Sequence, residues 1–169
     1  MEITPDKQKI VGLVEQANLG KLCLPQFQRD FVWPRDQVAD ILRSILRRYF
    51  IGSVLLLRCD PNLPPFKSRF FIGANPTLKD PKPEMLVLDG QQRITALLYA
   101  MTGPEEPFLK GMNKRLWFFV DLMKMITDRD DDDIVVSFPK KELNGLDNLE
   151  KQYQCKRRSK SVTLPEYPG

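Results

Sequence analysis

The stretch "MLVLDGQQRITALLYAM", residues 85–101, sets a carboxylate, a glycine, two amides and an arginine where an apolar run gives way to a helical pattern. A helix N-terminus presents unpaired backbone N–H groups at the positive end of the peptide dipole, which suits a phosphate. Arg93, in the first turn, can add a charge-assisted clamp to the same anion. Without an anion, an arginine there opposes the dipole at some electrostatic cost. The competing reading is structural: Asp89 caps the helix, Gly90 permits the turn, and Gln91 and Gln92 are solvated.

A second cluster, "LPQFQRDFVWPRDQ", interleaves Gln26, Gln28, Arg29 and Asp30 with Phe27, Phe31 and Trp33. Aromatic rings beside amides and an arginine can stack on a base and read its edge. Large aromatics are more often buried, so the three rings are expected as core anchors. The residue types alone leave the roles of Gln28 and Arg29 open.

Several elements must position these two clusters. Residues 6–18 carry Ile10, Leu13, Val14 and Ala17 at helical spacing, and Gly20 follows as a stop signal. "KLCLP" reads as a short strand. Pro34 opens a second helix running to Tyr49, with Val38, Ile41, Leu42, Ile45 and Leu46 as its apolar stripe. Arg43, Arg47 and Arg48 lie beside or opposite that stripe, a basic surface suited to a polyanion. "GSVLLLR" (52–58) predicts a strand buried on both sides. "SRFFIGA", "EMLVLD", "RLWFFVDL" and "IVVSF" predict further strands, with proline-rich loops at 60–67 and 75–83. The acidic run at 128–133 reads as a turn or exposed loop rather than a metal site. Strands and helices alternate irregularly, so the fold class is α/β in the mixed α+β sense.

Composition excludes several chemistries. The chain has 169 residues, 42% hydrophobic and 28% charged, enough for one ordinary domain with a single core. It has no histidine, which removes a Ser-His-Asp triad and any His-containing metal site. Cys23, Cys59 and Cys155 are odd in number and far apart, the pattern of free thiols in a reducing, cytoplasmic setting. No apolar stretch approaches the roughly 20 residues that span a bilayer. A domain over 1–155 is expected, with 156–169 a basic tail or the start of a further C-terminal region. The run "CKRRSK" at 155–160 reads most simply as solvated.

Taken together, "LPQFQRDFVWPRDQVADILRSILRRYFIGSVLLL" and "LVLDGQQRITALL" resemble the N-terminal domain of GmrSD-type restriction endonucleases, a DGQQR-motif domain of the ParB/sulfiredoxin-like superfamily. The matching elements stand in family order and cover roughly residues 20–101. The resemblance implies a small mixed sheet flanked by helices, with the DGQQR turn cradling nucleotide phosphates. Carried over, the motif falls on Asp89, Gly90, Gln91, Gln92 and Arg93, the first QR motif on Gln28 and Arg29, and the strand start on Gly52 and Ser53. Related proteins hydrolyse nucleoside triphosphates and restrict modified phage DNA; others sense phosphorothioate-modified DNA. A separate or C-terminal nuclease domain, usually of the HNH type, does the cutting. Sulfiredoxins carry a nucleophilic cysteine where this chain has Gln91, so sulfinic acid reduction is not expected.

The expected function is a nucleotide-binding, triphosphate-hydrolysing module of a modification-dependent restriction or phage-defence system. In it Arg93 and the helix amides hold the phosphates, Asp89 orients a water or a metal ion, Gln91 or Gln92 positions the attacking water, and Gln28 and Arg29 contact the nucleotide or the DNA. Mg²⁺ fits such chemistry on general grounds. The rival is a non-catalytic DNA-binding sensor gripping DNA phosphates in the same pocket, with the basic helix and tail adding nonspecific affinity. Either version is compatible with an oligomer, and neither needs a membrane.

Overall fold

The computed structural model describes residues 6–75, 77, 79–103, 106–127 and 131–139. Helix α1 (Ile10–Asn18) buries Val14 and Ala17 and stops at Gly20, whose φ of 72° lets its amide reach back to the Ala17 carbonyl. Strand β1 (Leu22–Pro25) is buried throughout. Pro34 stands just outside helix α2 (Arg35–Leu46), in extended conformation. Next come β2 (Leu55–Arg58), β3 (Ser68–Arg69), β4 (Met85–Asp89) and α3 (Gln91–Thr102). A second unit follows: β5 (Leu116–Val120), the short helix α4 (Leu122–Thr127) and β6 (Val135–Pro139).

The main sheet has the order β2-β4-β1-β3. Its centre is the parallel pair β1 and β4, in register Leu22↔Met85 and Cys23↔Leu86, while β2 and β3 run antiparallel on the outside. Strands β5 and β6 form a separate antiparallel ribbon that packs on α2 through Ala39, Ile134 and Val135. The fold is mixed α/β, as its patterning predicts. Helix α3 lies deepest: Ile94, Ala96, Leu97, Leu98 and Tyr99 are all buried in the main core. A helix apolar on most of its faces can only be stable when surrounded.

A hydrogen bond ties the second sheet to that helix, the Leu116 amide donating to the Tyr99 hydroxyl at 2.9 Å. Tyr99 is 1% exposed, so removing the oxygen leaves a buried N–H without an acceptor. Tyr99→Phe is expected to cost about 1–3 kcal/mol. A thermal melt checks it, and an unchanged midpoint would show that the Leu116 amide has another acceptor within reach.

Several expectations need correction. Strand β2 is an edge strand, with Leu55 and Arg58 exposed, because its outer side has no partner in the sheet. The predicted strand over "SRFFIGA" shrinks to Ser68–Arg69, since the chain turns to send Phe71 into the core. Helix α4 is unexpected; its six residues are too few to show a helical period. It starts at Asp121, whose carboxylate accepts the Lys124 amide. The basic face of α2 is largely neutralised within the protein, Arg43 pairing with Asp40 at 3.0 Å and Arg47 with Asp132 at 3.4 Å. Of the acidic run, Asp131 caps a single 3-10 turn (Asp132–Ile134), and Lys124 pairs with Asp131 and Asp133. Burial acts to lower the Lys124 pKa, but these two carboxylates outweigh it and hold the ammonium above its usual range. "CKRRSK" lies outside the described residues.

Candidate functional site

Parallel pairing of β1 and β4 brings their carboxyl ends side by side, where crevices form in open α/β sheets. The segment 26–33 leaves β1 there, and the DGQQR turn leaves β4 beside it. Gly90 makes the turn with φ 94°, and a Cβ at this position would come within 2.9 Å of Val54 Cγ2. Both the backbone angle and the space demand glycine. Gly90, not Asp89, takes the N-cap position of α3, and Asp89 ends the strand with its carboxylate exposed.

The glutamines of the motif face inward. Gln91 donates from Nε2 to the Arg29 carbonyl at 2.6 Å. Gln92 donates to the Asp30 carbonyl and accepts the Val32 amide through Oε1, both at 3.0 Å. From the opposite side, Gln28 donates to the Leu88 carbonyl at 2.9 Å. Arg69 of β3 donates to the carbonyls of Gln28 and Arg29 and pairs with Asp30 at 3.4 Å. The two motifs are therefore one structure, a loop laced over the start of α3. Buried carboxamides must be bonded, and Gln91 and Gln92 are only 5% and 8% exposed. Gln92→Ala removes both bonds to the loop and is expected to cost about 2–4 kcal/mol. Hydrogen exchange checks it: the Val32 amide should lose protection in the variant, and retained protection would contradict the lacing.

Arg93 is likewise occupied. Its guanidinium donates to the carbonyls of Ile51 and Ser53, each at 2.7 Å, and pairs with Asp89 at 3.3 Å. The expected phosphate clamp is thus corrected: the planar fork is filled by two carbonyls, and the anion that offsets its place near the dipole is Asp89. Gly52 and Ser53 line the turn that holds Arg93; the close approach at Gly52 is to the guanidinium, not to a ligand. Gln92 is bonded to backbone through both ends of its carboxamide, and Gln91 through its Nε2. Phe27 is also corrected, 67% exposed and edge-on to Phe66, whereas Phe31 and Trp33 pack against the core as expected.

Two kinds of donor remain open. No side chain caps α3, and its first backbone bond is from Ile94 to Gly90, so the amides of residues 91–93 have no acceptor among the described residues. Orphan donors at a helix end beneath a loop call for a partner. Arg29, its carbonyl fixed by Gln91 and Arg69, is an exposed residue lining an open cleft of about 610 Å³. Val32, Trp33, Pro34, Gln37, Lys110 and Gly111 complete its lining. Sequence reading missed Gln37, Lys110 and Arg69 as parts of the site. Gln37 ends the quoted aromatic and polar cluster without being singled out, and Arg69 left a trace as a cation inside an apolar segment.

The family model of the GmrSD restriction endonuclease N-terminal domain matches residues 10–166. The chain belongs to that family. An uncharacterised protein of Methanocaldococcus jannaschii is 37% identical over 170 residues, covering 98% of this chain. The chain spans 29% of the length of that relative. No solved structure matches. In this GmrSD N-terminal domain the described thiols are poor nucleophiles. Burial, with a smaller contribution from Cys59, pushes Cys23 up to about 12, and its thiol donates to the Gly20 carbonyl. Burial and then Asp60 raise Cys59 as well. No helix among the described residues is long and apolar enough to cross a membrane.

Proposed function

We propose that this domain binds a nucleoside triphosphate at the start of α3 and hydrolyses it. It would serve a restriction or phage-defence system directed at modified DNA, alongside a C-terminal or separate nuclease domain. The observation that carries this reading is the set of uncapped amides at residues 91–93, roofed by a loop that fixes Arg29 at its edge. The amides and the positive dipole end hold phosphate oxygens. Arg29, with its side chain exposed, takes the clamping role first expected of Arg93. The Asp89 carboxylate, exposed beside the turn, orients the attacking water or supplies one ligand to Mg²⁺, which fits because phosphate oxygens and waters commonly complete its shell. That ion, when bound, neutralises developing phosphate charge. Gln91, Gln92, Arg93, Gly52 and Ser53 are positioning residues in this scheme.

Phosphate release from ATP, GTP, CTP and UTP by the full chain with Mg²⁺ tests the proposal. Release above background, falling about 100-fold in Arg29→Ala and Asp89→Asn, is expected. The second reading, a DNA-binding sensor without turnover, draws support from a specific observation: the side-chain Nε2 groups of Gln91 and Gln92 and the Arg93 guanidinium all donate to protein carbonyls. Absence of release with every triphosphate, together with salt-dependent binding of DNA weakened by Arg29→Ala, would favour it.

A further inference from the structure

The cleft beside the phosphate seat has a composition that phosphate binding alone does not require. Half-buried Trp33 and exposed Gln37 line it together with two exposed cationic residues, Arg29 and Lys110. The Lys110 amide donates to the Trp33 carbonyl at 3.3 Å, so the wall carrying Lys110 is fixed to the wall carrying the indole. Gln37 stands in the first turns of α2, where it has a donor and an acceptor to offer and is exposed. Arg29 belongs to both places: its carbonyl is bonded at the start of α3, and the residue lines the cleft. Arg29 is thus the residue shared by the start of α3 and the cleft lining. An aromatic face, a hydrogen-bonding amide and flanking cations suit a flat, polar-edged ring attached to an anion.

We infer that this cleft seats the nucleobase of the bound nucleotide, with Trp33 offering its face and Gln37 reading the edge. The inference rests on the nucleoside-triphosphate reading above, and adds to it the place where the base is held and the residues that hold it. Stacking of a base on an aromatic side chain corresponds to roughly five- to a hundredfold in affinity.

Calorimetric titration of the full chain with each of the four nucleoside triphosphates, and with inorganic tripolyphosphate, tests it. At least one nucleotide should bind about tenfold or more tightly than tripolyphosphate. Gln37→Ala, at an exposed position that folding does not need, should shrink that preference about threefold or more and leave tripolyphosphate affinity unchanged. Trp33→Phe should keep the fold and weaken the preference in the same way. Equal affinity for nucleotides and tripolyphosphate, or a preference that neither variant alters, would overturn the nucleobase cleft while leaving the phosphate seat standing. Failure of both ligands to bind would overturn the phosphate seat itself, and the cleft's role with it.

Discussion

Arg93→Ala is expected to destabilise the folded domain by about 3 kcal/mol, lowering the thermal midpoint by roughly 6–12 °C. The variant loses two charge-assisted bonds of 2.7 Å and leaves the Ile51 and Ser53 carbonyls without that donor. It also leaves Asp89 without its partner four residues on. Exposure of the pair limits what the Asp89 contact adds, so most of the loss comes from the carbonyl bonds. A phosphate clamp would behave otherwise: truncation would leave the midpoint in place and remove only affinity. Arg93→Lys separates the cases further. A single ammonium cannot fill two carbonyls with the geometry of a planar fork, so lysine should recover less than half of the loss. Differential scanning calorimetry of the three proteins reads the result.

Gly52→Ala should be costlier still, about 4 kcal/mol, because two penalties act together. Residue 52 has φ 89°, a left-handed conformation that a Cβ disfavours. The same Cβ would overlap Nη1 of Arg93, forcing the guanidinium away from the carbonyls on either side of the glycine. The two substitutions therefore attack one device. Introduced into Arg93→Ala, Gly52→Ala should cost only the backbone penalty of about 1–2 kcal/mol, a clear departure from additivity. Urea titrations of the two single variants and the double variant measure the coupling. Full additivity would mean that Gly52 and Arg93 act independently.

The strand, turn and helix at 85–102 were legible because an apolar run meets a helical period across Asp89-Gly90. Helix α2 was legible for the same reason. Strand β3 and helix α4 were not: two and six residues carry too little periodicity. That the QR segment and the DGQQR turn serve one site could be suspected from their residue types. How they join could not, because Gln91 and Gln92 bind carbonyls of residues 62 positions away and Arg93 binds carbonyls 42 and 40 positions away. Backbone acceptors leave no mark in a sequence. The electrostatics of Arg93 was legible in part: an arginine so near a helix start does need an anion. That anion was already in view as Asp89, at the i, i+4 spacing, and it competes with any outside phosphate for the guanidinium.

With Gln91 and Gln92 bonded to the loop and Arg93 to the 51–53 turn, phosphate binding on the proposed reading falls to the backbone. Three amides and the exposed Arg29 are what this arrangement has to offer a phosphate, and Asp89 is the nearest carboxylate of the turn to act on it. Roles then divide by distance from the ligand. Substitutions at Gln91, Gln92 and Arg93 should act through the shape of the loop, whereas those at Arg29 and Asp89 should act with the fold intact.

The most direct measurement is an NMR titration of the isotope-labelled chain with a nucleoside triphosphate, following the backbone amides of Gln91, Gln92 and Arg93. Saturable downfield proton shifts at these three, larger than at any other described amide of α3, are the expected result. Resonances there that stay fixed while the nucleotide binds elsewhere, or while it fails to bind at all, would contradict a phosphate seat at the start of this helix.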